Sequence, residues 1–204
     1  MGYANFTLAQ VKADFQLTLE EKQNLFQEIF PTNPSSLLQT MLLEYIPLAT
    51  AINTEKARSE LLIAQILTEV RRQLQGRMSL FSGCEFNVDS SQGLNGFCDY
   101  LICQSEEQLY ITAPVLVVIE AKNEDIKGGL GQCIAEMIAA QIFNHDAKND
   151  IAMIYGAVTT GTVWRFLTLE NRVIKIDNTE YYINEVDKIL GILIECVGRL
   201  SGAG

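Results

Sequence analysis

Apolar residues recur along this chain at two different spacings, and the change from one to the other organises it. Up to about residue 75 the spacing is helical. Residues 7–15 and 18–30 each open on a threonine suited to capping, and apolar positions then repeat at three- and four-residue intervals, which predicts two helices. Pro31 and Pro34 bracket a turn, and Ser35 or Ser36 starts a third helix running toward Pro47. Asn53 and Thr54 introduce a longer helix to about Gln75, stopped by Gly76, with Ile63, Leu67, Val70 and Leu74 as its core stripe.

Past Gly76 the period shortens toward two. Residues 79–88, 97–104 and 114–122 read as strands, the first two separated by the turn chemistry of SSQGLNG. KGGLG then breaks the chain, and residues 131–144 form a helix rich in Ala and Ile. Residues 151–159 and 162–169 make two further strands around Thr160-Gly161, with 173–176 as a short edge strand. A closing helix over 184–200 turns Val186, Ile189, Leu190, Leu193 and Val197 inward. Helices, three strands, a helix, more strands and a helix predict a mixed α/β (α+β) fold, with a central mixed sheet flanked by helices. The division expected is an N-terminal helical extension over 1–52, packed on the core, and a domain over 53–204.

Composition supports a globular chain. With 204 residues, 48% hydrophobic and 20% charged, it can bury a substantial core. No apolar run is long enough to span a bilayer, and residues 1–10 carry no signal-peptide pattern, so a cytoplasmic protein without a membrane role is expected. Five cysteines without a CxxC pair read as small buried hydrophobes in a reducing compartment. The single histidine, His145, lies near a helix end and reads as a surface or capping residue.

Charge changes the picture more. The net charge is −10, which opposes nonspecific grip on nucleic acid, since that affinity comes from Lys and Arg replacing counterions. Residues 84–110 hold five acids and no Lys or Arg. Residues 56–77 hold Lys56, Arg58, Arg71, Arg72 and Arg77 against Glu60 and Glu69, so one local basic surface is expected.

The chemistry concentrates in VLVVIEAKNED, residues 115–125. An apolar strand ends in Glu120, Ala121 and Lys122, and alternation puts Glu120 and Lys122 on one face. Asp99 lies on the preceding strand, in GFCDYLI. Neighbouring strands would bring two carboxylates together, and their repulsion calls for a cation. Oxygen ligands of this kind suit Mg²⁺ or Mn²⁺. Direct pairing of Asp99 with Glu120 centres a hairpin on Leu109 and Tyr110, which are poor turn residues. The connection 104–113 must therefore be irregular or carry its own hairpin at Glu106-Glu107.

A strand Asp, then Glu-x-Lys ending the next strand, with a helix before and a helix after, resembles the PD-(D/E)XK nuclease superfamily, the restriction-endonuclease-like fold. The resemblance covers roughly residues 53–170. It implies Asp99 and Glu120 as metal-binding acids, the Ala121 carbonyl as a further ligand and Lys122 as the catalytic lysine. It also implies an acid from the helix before the strands, for which Glu60 fits best and Glu55 is the fallback, and a glutamine on the following helix, matched by Gln132. Two departures stand out: no proline precedes Asp99, and Glu136 occupies the place of a tyrosine four residues after Gln132.

The function expected is Mg²⁺-dependent hydrolysis of DNA or RNA phosphodiesters. The alternative is an inactive module of the same fold, using its N-terminal helices to bind a protein partner or a second copy of itself. A small-molecule phosphohydrolase is the third reading, better matched to the acidity. KGGLG lacks the P-loop spacing and reads as a turn beside the site. Glu124, Asp125 and Lys127 read as a solvated loop. Trp164 and Phe166 share a core face, with Arg165 turned away from it.

Overall fold

The change of spacing becomes one sheet between two helical layers. The computed structural model describes residues 2–149 and 151–198. Its first half contains α1 (Leu8–Asp14), β1 (Thr18–Glu20), α2 (Ser36–Ile52), α3 (Glu55–Arg58), α4 (Ala64–Gln73), β2 (Ser79–Glu85) and β3 (Phe97–Cys103). The second half contains β4 (Val115–Ala121), α5 (Ile126–Asp146), β5 (Met153–Thr159), β6 (Val163–Glu170), β7 (Val173–Ile176), β8 (Tyr181–Tyr182) and α6 (Val186–Gly198). A π-helical turn, Ser59–Ile63, joins α3 to α4. Of the closing helix expected over 184–200, residues 199 and 200 lie outside the described residues, as do 201–204 of the expected domain.

The strands form an eight-stranded mixed sheet in the order β1-β7-β6-β5-β4-β3-β2, with β8 beside β6. β2, β3 and β4 are antiparallel; β4 and β5 are parallel, and α5 makes the crossover between them. All seven residues of β4 are buried, as its run of Val, Leu and Ile requires of a strand covered on both faces. One face packs Leu62, Ile66, Val117, Ile119, Trp164 and Leu193 with the helices α2, α4 and α6. The other packs Val118, Ile134, Met137, Val158 and Leu167 beneath α5 and α1. Alternation along β4 therefore sends Val118 and Glu120 toward α5.

The first fifty residues belong to both layers. Tyr3, Phe6 and Val11 join the α5 side, and Phe26, Leu38 and Leu42 join the other. The helix expected over 18–30 does not form. Thr18–Glu20 instead pairs with β7 in parallel, and the following segment is irregular. The reason is tertiary capture of its carbonyls. The Lys188 ammonium donates to Phe26 O at 2.8 Å, Gln27 O at 3.2 Å and Ile29 O, and Asn178 N–H donates to Gln23 O at 3.0 Å. Of these, Gln23 O and Phe26 O would otherwise accept within a helix over 18–30; Gln27 O would face Pro31, which has no N–H, and Ile29 O would fall in the unpaired last turn.

Two other boundaries move. The helix α2 continues through Pro47 to Ile52 and ends on Asn53 at φ 50°. KGGLG lies inside α5, which begins at Ile126 under an Asp125 cap. Its glycines serve close approach: a Cβ on Gly129 would lie 2.7 Å from Val158 Cγ1, and one on Gly131 would lie 2.3 Å from Phe6 O. The connection 104–113 is irregular, and the Gln108 side chain clasps both backbone groups of Leu80. The five cysteines are free, four of them buried; His145 is exposed. Among the described residues no helix is long and apolar enough to cross a membrane.

Candidate active site

The site forms where the ladder between β3 and β4 ends. Tyr100 and Ile119 are its last paired residues on this side, and one step further stand Asp99 and Glu120. There the Asp99 side chain replaces a main-chain carbonyl: its Oδ2 accepts the Ala121 N–H at 2.8 Å. β4 meanwhile stays bonded to β5, with the Lys122 N–H donating to Thr159 O at 2.8 Å. The chain thus leaves one neighbour while held by the other. A cleft of about 300 Å³ adjoins, lined by Glu55, Ser59, Glu60, Ser82, Asp99 and Ala121 among others.

Behind the cleft, β4 and α5 share a polar chain of side chains. The Lys122 ammonium donates to Glu120 Oε1 and lies 3.4 Å from Gln132 Oε1. The Gln132 amide nitrogen donates to Glu120 Oε2 at 2.9 Å and to Glu136 Oε1 at 3.0 Å. Gly129 lets this happen, because a Cβ there would meet Lys122 Cγ at 3.0 Å. One Gln132 amide therefore reads two carboxyls and an ammonium at once.

The electrostatics follow from depth. Glu120 is 1% exposed. Burial, then the charge of Asp99, push its carboxyl up to about 8, against the opposing pull of Lys122. Burial alone would lower the Lys122 ammonium, but the Glu120 carboxylate beside it, helped by Glu55 and Asp99, holds it above the usual lysine value. Glu136 is wholly buried, and burial followed by the charge of Glu120 pushes it well above the usual carboxylate range.

The expected residues fall into two groups. Asp99, Glu120, Ala121, Lys122 and Gln132 meet at one place. Glu60 stands apart on the cleft's lip, 61% exposed and paired with Lys56 at 2.8 Å. Glu55 lines the same cleft, and its charge reaches Lys122. The basic stretch 56–77 does not gather into one surface: Lys56 pairs with Glu60, Arg72 with Glu69, and Arg58 donates to Asn53, Thr160 and Thr162.

Sequence reading overlooked three residues here. Tyr100 Oη and Ser59 Oγ are 2.7 Å apart, tying the π turn to β3 and setting the cleft's wall; π turns recur at functional sites. Nothing in the local sequence marks that turn. Glu136 appeared only as a departure from a motif, though its four-residue spacing from Gln132 on a helix already aligned the two.

The donors that meet here are of the oxygen type that a hard cation takes. Asp99 and Glu120 offer carboxylate oxygens whose mutual repulsion a divalent ion would relieve. Among the described residues no three His, Cys, Asp or Glu side chains converge in ligating geometry. Mg²⁺ suits a site with few protein ligands, because it retains several waters. Compared with known proteins, the chain matches no family model, no curated protein and no solved structure.

Proposed function

We propose that this chain is a Mg²⁺- or Mn²⁺-dependent phosphodiesterase acting on DNA or RNA, built on a restriction-endonuclease-like core of the PD-(D/E)XK kind. The observation that carries the reading is the meeting of Asp99, Glu120, Lys122 and Gln132 where β4 parts from β3 beside an open cleft. Asp99 and Glu120 would hold the metal, with the Ala121 carbonyl and an acid of the preceding helix, Glu60 or Glu55, completing the protein's share. Such a metal supplies Lewis acidity and a more acidic bound water. Lys122 steadies a phosphoryl oxygen, and Gln132 keeps Lys122 and Glu120 in place. With a net charge of −10, contact with a polyanion is confined to the cleft, and affinity falls steeply with salt.

A second reading has its own observation. Phe30, Leu37, Leu43, Leu48 and Ile52 are exposed on and before α2, a surface suited to a protein partner or a second copy. Under that reading the core is a non-catalytic module. Calorimetric titration of Mn²⁺ into the native chain and Asp99→Ala, with a nuclease assay at low salt, separates the two. Binding lost in Asp99→Ala, together with metal-dependent cleavage, supports the enzyme. Absence of both in the native chain overturns it.

A further inference from the structure

Glu136 is a peculiar residue to keep in the middle of α5, where residues 133–140 are otherwise Ala, Ile, Met and Cys. It is wholly buried on the α5 side of the sheet, and no lysine or arginine pairs with it among the described residues. Its Oε2 has no hydrogen-bond partner. Its Oε1 has one, the Gln132 amide nitrogen at 3.0 Å. A buried carboxyl so poorly satisfied destabilises a core, and an apolar side chain of similar size would pack there better.

What the carboxyl gains is the orientation of its neighbour. An amide has two faces of opposite character, and Gln132 must present nitrogen to Glu120 and oxygen to Lys122. Turned over, it would set oxygen against a carboxyl and nitrogen against an ammonium. Glu120 alone leaves one amide hydrogen free, so the side chain can swing. A second acceptor one helical turn away fixes both hydrogens and removes that freedom.

We infer that Glu136 is a positioning residue: a buried carboxyl that locks the Gln132 amide toward Glu120 and Lys122, trading core stability for a preorganised site. Its part in catalysis rests on the nuclease reading; the locking of Gln132 does not.

Three chains test it: native, Glu136→Gln and Glu136→Met. The first readout is the Gln132 side-chain amide by NMR, identified as the pair of resonances missing from Gln132→Met. It should exchange slowly with solvent in the native chain and in Glu136→Gln, which keeps an acceptor oxygen. It should exchange fast in Glu136→Met. The second readout is thermal: Glu136→Met should melt at or above the native temperature. The third is Mn²⁺ affinity, expected to weaken about tenfold in Glu136→Met and to change little in Glu136→Gln, as for outer-shell partners of metal ligands.

An unchanged Gln132 amide in Glu136→Met overturns the inference. A folded but markedly less stable Glu136→Met overturns it in favour of a structural carboxyl. Should the native chain bind no Mn²⁺, the nuclease reading fails, while the amide exchange still decides what Glu136 does.

Discussion

Glu69 and Glu136 are both buried glutamates on helices, on opposite faces of the sheet, and they are treated in opposite ways. Glu69 on α4 has every lone pair engaged. Its Oε1 accepts from the Ser35 N–H at 2.9 Å and Gln73 Nε2 at 2.8 Å, and its Oε2 from Ser35 Oγ at 2.8 Å and the Arg72 guanidinium. Burial pushes this carboxyl up, but the bonds from Gln73 and Ser35 and the charge of Arg72 outweigh it, so it titrates below the usual range. The result is a clasp between the start of α2 and α4. Glu136 has one neutral partner and an empty second oxygen, and Glu120 has an acid and a lysine for neighbours. Burial is common to the three; the number of donors turned on each is not, with four on Glu69, two on Glu120 and one on Glu136. On the proposed reading a full set of donors marks the structural carboxyl.

The largest effect that could break this contrast lies at Lys122. On the proposed reading Lys122→Ala lowers turnover of a generic DNA or RNA substrate by on the order of 10²–10⁴-fold. Metal-dependent thermal stabilisation survives, because the two acids remain and lose a competing cation. Initial rates and melting curves with and without Mn²⁺ check both halves. Undiminished turnover removes Lys122 from the chemistry.

Next comes Glu69→Ala, the structural counterpart. It strips four donors of their acceptor and leaves Arg72 beside a cavity, so it should destabilise by about 3 kcal/mol. In a chain of this size that lowers Tm by roughly 6–12 °C. Denaturant unfolding measures it. Glu69→Gln, which keeps part of the clasp, should lose about half as much. If Glu69→Ala instead leaves stability unchanged, partner supply is the wrong criterion.

pH sharpens the comparison because the two signs are opposite. Glu120 has a folded pKa of about 8, above its unfolded value of about 4.3. Between those values the unfolded chain ionises first, so native stability from this group is full below about pH 4.3 and is lost as pH rises toward 8. In chelator, Glu120→Gln should therefore gain on the native chain across that window, by about 1–3 kcal/mol at pH 8 once the unpartnered Lys122 is allowed for. Glu69 titrates low, so its stabilisation is present above its unfolded pKa and disappears in acid. The gap between native and Glu69→Gln should close as pH falls. Unfolding free energies from about pH 2 to 9 read both slopes.

Much of this was legible in the sequence, and the failures have physical causes. The apolar run 115–121 announced a central strand, and strand parity placed Glu120 with Lys122. Val173–Ile176 and the core face of Trp164 and Phe166 were equally plain. Residues 18–30 kept a helical spacing and still did not fold as one, because the competing hydrogen bonds come from Lys188 and Asn178, far along the chain. The glycines of KGGLG read as a turn, since local propensity sees a missing side chain but not the neighbour that requires its absence. The burial of Glu136 was invisible for the same reason. An acid in a helix is ordinarily exposed, and only the placement of α5 over β4 and β5 covers it.

Gly129 gives the smallest predicted effect and the finest test of that last point. In an isolated helix Gly129→Ala would gain about 1 kcal/mol. Here the new Cβ would fall 2.7 Å from Val158 Cγ1 and 3.0 Å from Lys122 Cγ, and overpacking of that kind costs roughly 1–3 kcal/mol. The net expectation is a loss of about 1 kcal/mol, a Tm decrease of roughly 2–4 °C. The loss should be coupled to the site and not to the clasp. Combined with Glu69→Gln, whose partners lie across the sheet, the effects should add to within about 0.5 kcal/mol. Combined with Lys122→Ala, which removes one of the two obstructing side chains beyond Cβ, part of the loss should return. If Gly129→Ala behaves additively with both, the glycine serves the helix alone and Lys122 does not depend on it.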